Sequence, residues 1–396
     1  MRIVILAILL LALLIATAAA STEAGHELRT ETATQDETPA KSPSCRKCKN
    51  AGRVLCSEHK KQGCELEDNV LFCSVLHDCE SCAGTGFIDC KHCDNTTAQE
   101  FLKDKAFSIP MRAKRWAKYS DLMKRPVRVA ESEHFILVWE VDSMKVDKKR
   151  LKGHELLHLY IDRLEALFAD YKELLGATDR DFRKKIPILV WHSALDHKEA
   201  AGEYCGQIAE RGVKKLGDDP VYSVPGGVKR LFNSDEFLHR NIVHNTIHLL
   251  MSHQSPSYWV GFIENGWADA GLAHWFEDRY WGKCDNYCYE EVAINIGFKV
   301  GKWRQAVRKM VANDSAPPMA QLVGHKTAML TSPMHAISFS YMDYLISMDP
   351  KKVNAMLGQM RAKLSSRDAI KKVYGMSLLE LERDWKAWVL ETYPAR

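Results

Sequence analysis

Asn241-Ile-Val-His244-Asn245-Thr-Ile-His248-Leu-Leu250, answered nineteen residues past His248 by Trp267-Ala-Asp-Ala-Gly-Leu-Ala-His-Trp-Phe-Glu277, is the part of the chain on which its fold turns. On a helix, a spacing of four sets His244 and His248 on one face, so their imidazoles can share an ion. The apolar residues around them make that helix a buried one. The second segment is apolar on nearly every side and reads as another buried helix. Asn245 stands where a general base would be needed. A neutral amide cannot take a proton from metal-bound water, so the pair points to a metal site without hydrolytic machinery, or to two histidines satisfied by hydrogen bonds.

Upstream, Phe135-Ile-Leu-Val-Trp-Glu-Val141 and Ile186-Pro-Ile-Leu-Val-Trp191 are short apolar runs of strand type. Between them, Leu151 to Leu175 carries an apolar stripe through Leu157, Ile161, Leu164, Phe168 and Tyr171, with Gly176 placed to end the helix. Residues 219–230 carry turn formers, with Gly226-Gly227 as a hairpin or loop. Beyond Phe237 the chain reads as mostly helical, with breaks at Pro317-Pro318 and Asp349-Pro350. Strands first and helices after give an α+β class.

The segment from Trp267 resembles the Trp-Leu-x-Glu-Gly-Leu-Ala-x-Tyr-Phe-Glu helix of gluzincin metallopeptidases, the peptidase-MA-like group. Tyr374-Gly-Met-Ser-Leu-Leu-Glu-Leu-Glu-Arg-Asp-Trp-Lys-Ala-Trp388 is similar to the closing segment of that family, and His335-Ala-Ile-Ser-Phe to another stretch of it. The likeness spans residues 130–396 and implies a zincin-like fold with a mostly helical C-terminal half. It also implies what is missing. The family's general-base glutamate falls at Asn245, and its third zinc ligand at Ala270. Asp269 and Glu264 are the nearest carboxylates, but Asp269 lies about 100° round the helix from Ala270 and Glu264 precedes the helix.

Nine of the 12 cysteines fall between Cys45 and Cys93. Cys45-x2-Cys48-x7-Cys56-x2-His59 repeats as Cys79-x2-Cys82-x7-Cys90-x2-Cys93 at an offset of 34 residues, with Gly52 aligned to Gly86. Two soft-ligand pairs per unit suit tetrahedral zinc, and the eight residues would hold two ions. The alternative is a disulfide framework. The second unit, with its Cys-x-x-Cys-x-Gly-x-Gly pattern, resembles the cysteine-rich zinc domain of DnaJ-type co-chaperones. That resemblance implies that ligand pairs interleave between the units; spacing alone leaves the sharing open. Cys64 and Cys73 would remain as a pair, and Cys205, Cys284 and Cys288 as an odd set. Cys284-x3-Cys288 has one-turn helical spacing and offers half a metal site with His274, or partners for Cys205.

A second candidate is His154-Glu155-Leu-Leu-His158, which fits His-Glu-x-x-His literally. No third ligand follows it at the usual interval, so the histidines read equally as ordinary helix residues. From Lys103 to Arg128 there are nine Lys or Arg and two Asp, a solvated basic connector or a phosphate-facing patch.

Met1-Arg2, the apolar run Ile3–Ile15 and the small residues Ala16 to Ala20 read as a secretory signal over 1–20. Residues 21–44, poor in large apolar side chains, read as a flexible linker. The organisation expected is therefore signal 1–20, linker 21–44, zinc-knuckle module 45–95, basic connector 96–129 and gluzincin-like domain 130–396. Asn95-Thr-Thr97 and Asn313-Asp-Ser315 fit glycosylation acceptors. The length of 396 residues, a net charge of +4 and 46% hydrophobic residues exclude a collagen, a disordered chain and a polytopic membrane protein, and give no reason to expect nucleic acid. The expectation is an exported zinc-binding protein, periplasmic or extracellular, with no membrane span after signal cleavage. It would bind peptide or protein, hold two structural zincs, and offer a third position at His244 and His248. The alternatives are an active zinc peptidase using His244/His248 or His154/Glu155/His158, and a redox or chaperone-like protein working through the Cys-x-x-Cys pairs.

Overall fold

A computed structural model describes residues 45–61, 69–254, 259–284 and 302–395. The expected signal and linker, Cys64 and Cys288 lie outside the described residues.

The cysteine-rich segment contains β1 (Arg53–Leu55), α1 (Ser57–Lys61), β2 (Phe72–Cys73) and β3 (Phe87–Asp89). β1 pairs antiparallel with β3, Arg53 opposite Asp89 and Leu55 opposite Phe87. Cys56 N donates to Gly86 O and Cys90 N to Gly52 O, each at 2.9 Å. These crossed bonds relate the two sequence repeats by a local two-fold. Gly52 and Gly86 have φ of 68° and 88°, a region that a side chain would strain, which is why glycine recurs there.

Residues 96–123, within the stretch read as a connector, form one long helix, α2 (Thr96–Met123), whose N-cap Asn95 accepts from Ala98 N at 3.0 Å. Its buried face runs through Ala98, Lys105, Ile109, Trp116 and Tyr119. The periodicity is helical, but a lysine on the buried face, six basic residues in all and Pro110 hide it from a hydrophobic pattern.

The chain then builds the main sheet. β4 (Val129–Glu131) and β5 (Phe135–Trp139) are followed by the hairpin β6 (Ser143–Val146) and β7 (Lys149–Lys152), then α3 (Gly153–Leu175), β8 (Ile186–Val190), α4 (Ala194–Ala200), β9 (Val213–Lys215) and β10 (Val221–Val224). Strand order is β2-β4-β5-β8-β10-β9. β5, β8 and β10 are parallel; β4 pairs antiparallel with β5, β2 antiparallel with β4, and β9 antiparallel with β10. Phe135, Leu137 and Trp139 enter one core, with α3, and Ile136 and Val138 enter the other, with α2. Both faces are covered, so the central strands β5 and β8 are apolar at every position rather than alternating. β10 occupies part of the span read as turn; Gly226 and Gly227 follow it, and the two edge strands were too short to signal themselves.

The rest of the described chain is helical: α5 (Asp235–His253), α6 (Gly266–Trp281), α7 (Trp303–Ala312), α8 (Met319–Leu322), α9 (Ser332–Met348), α10 (Pro350–Arg361), α11 (Ser366–Tyr374) and α12 (Leu378–Thr392). The two proline breaks fall where expected: α8 begins after Pro318, and Asp349 caps α10. α6 packs on both α5 and α9. A Cβ on Gly271 of α6 would lie 2.5 Å from Ser338 O of α9, so glycine permits this close approach. Gly271→Ala should destabilise the protein by about 1–3 kcal/mol, the usual cost of overpacking, measurable as a lower urea midpoint at unchanged m-value.

Cys45–Arg396 is a single compact unit, and within it β2 carries the cysteine-rich segment into the main sheet. Among the described residues no helix is long and apolar enough to cross a membrane. The mixed α+β class read from the sequence is what the structure has.

Candidate metal centres

The eight expected zinc ligands gather into two clusters. Cys45 and Cys48 meet Cys90 and Cys93; Cys56 and His59 meet Cys79 and Cys82. Each cluster takes one pair from each repeat, which is how the local two-fold distributes them. Sγ atoms of Cys45 and Cys90 are 3.8 Å apart, those of Cys48 and Cys93 3.4 Å, and those of Cys56 and Cys79 3.9 Å. Cys82 Sγ is 3.3 Å from His59 Nε2. Two thiolates on one tetrahedral zinc are about 3.8 Å apart, given Zn–S bonds of about 2.3 Å. A disulfide would need about 2.05 Å. All seven cysteines are thiols, so these clusters have the spacing of ligands and not of bridges. Gly86 N also donates to Cys82 Sγ at 3.4 Å, as suits a thiolate.

His244 and His248 lie on α5, completely buried, with Nε2 atoms 3.2 Å apart. His248 Nδ1 bonds Asp269 Oδ1 at 2.8 Å, and Thr327 Oγ1 donates to Asp269 Oδ2 at 2.7 Å. On its other side, His244 Nδ1 faces Glu277 Oε2 at 3.5 Å. Glu277 Oε2 also faces His274 Nδ1 at 3.7 Å, and His274 Nε2 meets His335 Nδ1 at 3.1 Å. Four imidazoles and two carboxylates thus form one chain across α5, α6 and α9. A neutral imidazole donates from one nitrogen only. With Asp269 taking the Nδ1 proton of His248, the Nε2 of His248 is a lone pair aimed at His244. His244 therefore spans His248 and Glu277 either as a cation or as a metal ligand. Burial would raise Glu277, but His244 and His274 outweigh it and hold the carboxyl at about 2. Burial keeps His248 below its usual value.

Ala270, the expected third-ligand position, is buried and offers nothing. His274 is one helical turn beyond it on the same face, and Glu277 follows three residues later; together with His244 they can hold an ion. The i+4 spacing from Ala270 to His274 was the available signal. His248, expected as the partner ligand, is not in that trio and is the link to Asp269 instead. Asp269 is not part of that trio; it holds the ring of His248 through Nδ1. Asn245 Nδ2 donates to Asn241 O at 2.9 Å, and its Oδ1 has no partner among the described residues. Cys284 Sγ donates to His274 O at 3.2 Å and so braces the backbone of His274.

His154 and His158 are also buried, with Nε2 atoms 3.0 Å apart, and Cys73 Sγ lies 3.4 Å from His154 Nε2. Cys73 is therefore placed beside a histidine; Cys64, its expected partner, lies outside the described residues. Glu155 Oε2 accepts from Lys152 N at 2.7 Å and caps the start of α3, so it is not placed as a base for the pair. Cys205 Sγ donates to Val213 O at 3.6 Å.

No family model matches the chain, and no curated protein matches it.

Proposed function

We propose that this chain is an exported, zinc-binding protein built on a gluzincin-like scaffold that has lost hydrolysis and retains binding. The observation that carries the reading is Asn245. It occupies the general-base position, is buried, and has its amide nitrogen engaged by Asn241 O. Zinc could still sit against His244, His274 and Glu277 and would supply Lewis acidity there. Around it, Asp269 orients His248 and no carboxylate stands at residue 245 to accept the proton of an attacking water. His244, His248, His274 and Glu277 are all inaccessible to solvent, which suits a structural ion better than an open catalytic one. The sequence-level halves, a DnaJ-like knuckle module at 45–95 and the domain from 130, enter this reading as a metal-held platform and a scaffold.

The binding role draws on the surface beside this cluster. The turn Trp259–Ile263 packs on Thr327–Met329, and both turns contact Asp269 through Gly261 and Thr327. Phe262, Ile263 and Met329 are 59%, 48% and 56% exposed there, an apolar rim suited to peptide or protein.

An active peptidase is the second reading, favoured by His274 and Glu277, which replace the ligand lost at Ala270. The two separate in one experiment. The zinc-loaded chain, incubated with a mixed peptide library and read by mass spectrometry, should produce no cleavage. Cleavage that disappears in His244→Ala would establish the peptidase and end the binding reading. The redox alternative predicts Cys-x-x-Cys thiols that cycle with a reductant. Zinc-held thiolates should instead resist alkylation until chelator is added.

A further inference from the structure

We propose that Cys73, His154 and His158 form a third zinc site of the Cys-His-His type, joining the cysteine-rich segment to the main domain. The three side chains come from distant places in the sequence. Cys73 ends β2, between the ligand pairs Cys56/His59 and Cys79/Cys82, and the histidines open α3. Their ligand atoms all lie within 4.8 Å of one another. The 3.0 Å between the Nε2 atoms and the 3.4 Å from Cys73 Sγ to His154 Nε2 are the separations of atoms sharing one small cation, since zinc takes nitrogen at about 2.0–2.1 Å and sulfur at about 2.3 Å.

The surroundings supply the second argument. Cys73, His154 and His158 are 3%, 8% and 4% exposed. Cys73 belongs to the same apolar core as Leu157, Trp139 and Val141. The Nδ1 atoms of both histidines have no partner among the described residues. His154 Nε2 carries one proton or one lone pair, so it cannot make full hydrogen bonds to Cys73 Sγ and His158 Nε2 at once. One cation bound by the sulfur and the two Nε2 atoms satisfies all three, and each Nδ1 then carries the ring proton. The thiol and two imidazoles are also the soft and borderline donors that zinc selects over magnesium or calcium.

This site differs from the peptidase reading of the same histidines. Glu155 is committed to the helix start, and the third ligand comes from the sequence before the helix rather than after it. The ion would fasten β2, the edge strand of the main sheet, to the first turns of α3. It fails or stands independently of the reading of residue 245.

The test is anomalous diffraction from crystals of the full chain at the zinc absorption edge. A peak about 2.0–2.3 Å from Cys73 Sγ, His154 Nε2 and His158 Nε2 is expected, beside those at the two cysteine clusters. Peaks at the cysteine clusters with none at Cys73 would overturn the proposal. So would continuous density from Cys73 to another sulfur, which is a disulfide. In solution, zinc content should fall by one equivalent per chain in both Cys73→Ser and His158→Gln, while Cys73→His should keep it. Unchanged content in both removal variants counts against the site. The peptide-library assay stays silent on this outcome, so the failure of either proposal can be told from that of the other.

Discussion

Zinc removal by a strong chelator is expected to unfold residues 45–93. Structural zinc contributes about 10–16 kcal/mol of apparent binding free energy in small knuckles near neutral pH, far beyond what this segment can gain otherwise. Among its described residues the regular structure is a ribbon of two three-residue strands, one five-residue helix and the two-residue β2. So little structure buries too little apolar surface to offset the loss of chain entropy. Amide hydrogen exchange reads the result directly. The Cys56 and Cys90 amides, which cross-link the two repeats, should lose protection when the metal leaves. Protection that persists after zinc loss has been verified would mean that something other than metal holds the segment. Acid should act in the same direction, because thiolate and neutral imidazole must both take up protons as zinc departs.

The second large effect is expected at Glu131. This carboxylate is fully buried on β4, where it accepts from Trp116 Nε1 at 2.6 Å, pairs with Lys185 at 2.6 Å, and also bonds Arg112. α2 and the strands are thereby joined through one side chain. Glu131→Ala should cost about 3–5 kcal/mol, because it leaves two cations and an indole N–H facing a cavity. Glu131→Gln keeps the shape and removes the charge. Burial would raise the Glu131 pKa, but Lys185, Trp116 and Arg112 outweigh it and hold it below the ordinary carboxylate value. A depressed native pKa means that the unfolded chain binds more protons. The contribution is then complete above the unfolded value of about 4.3 and is lost as pH falls below it toward the native value. Urea midpoints of the parent and Glu131→Gln should differ most at neutral pH and converge in acid. A gap that widened on acidification would contradict this sign.

The sequence exposed what depends on local pattern. Phe135 to Trp139 and Ile186 to Val190 are strands because apolar runs that short cannot be buried any other way, and α3 follows its stripe. The cysteine spacing picked out the eight residues that gather into two clusters able to hold metal. How pairs combine was not legible in spacing, because it depends on the two-fold created by the β1–β3 ribbon. α2 escaped notice because Lys105 lies on its buried face. In the histidine cluster, Ala270 offers no ligand atom, while His274 and Glu277 on the same helix lie beside His244 in a group that could hold an ion; only the packing of α5, α6 and α9 brings His335 and Asp269 to the same place. Cys73 read as half of a disulfide, since nothing local links it to His154 at a separation of 81 residues.

β2 is two residues long and forms one edge of the six-stranded sheet. Phe72 and Cys73 pair with Glu131 and Ala130, and Leu71 and Ser74 extend the pairing through Glu131 O at 2.7 Å and Val129 O at 2.8 Å. The outer side of β4 is therefore covered by a piece of the cysteine-rich segment. Strand edges without a cover are templates for other chains. If metal orders that segment, its removal would uncover β4, and the expected consequence is self-association of the metal-depleted protein.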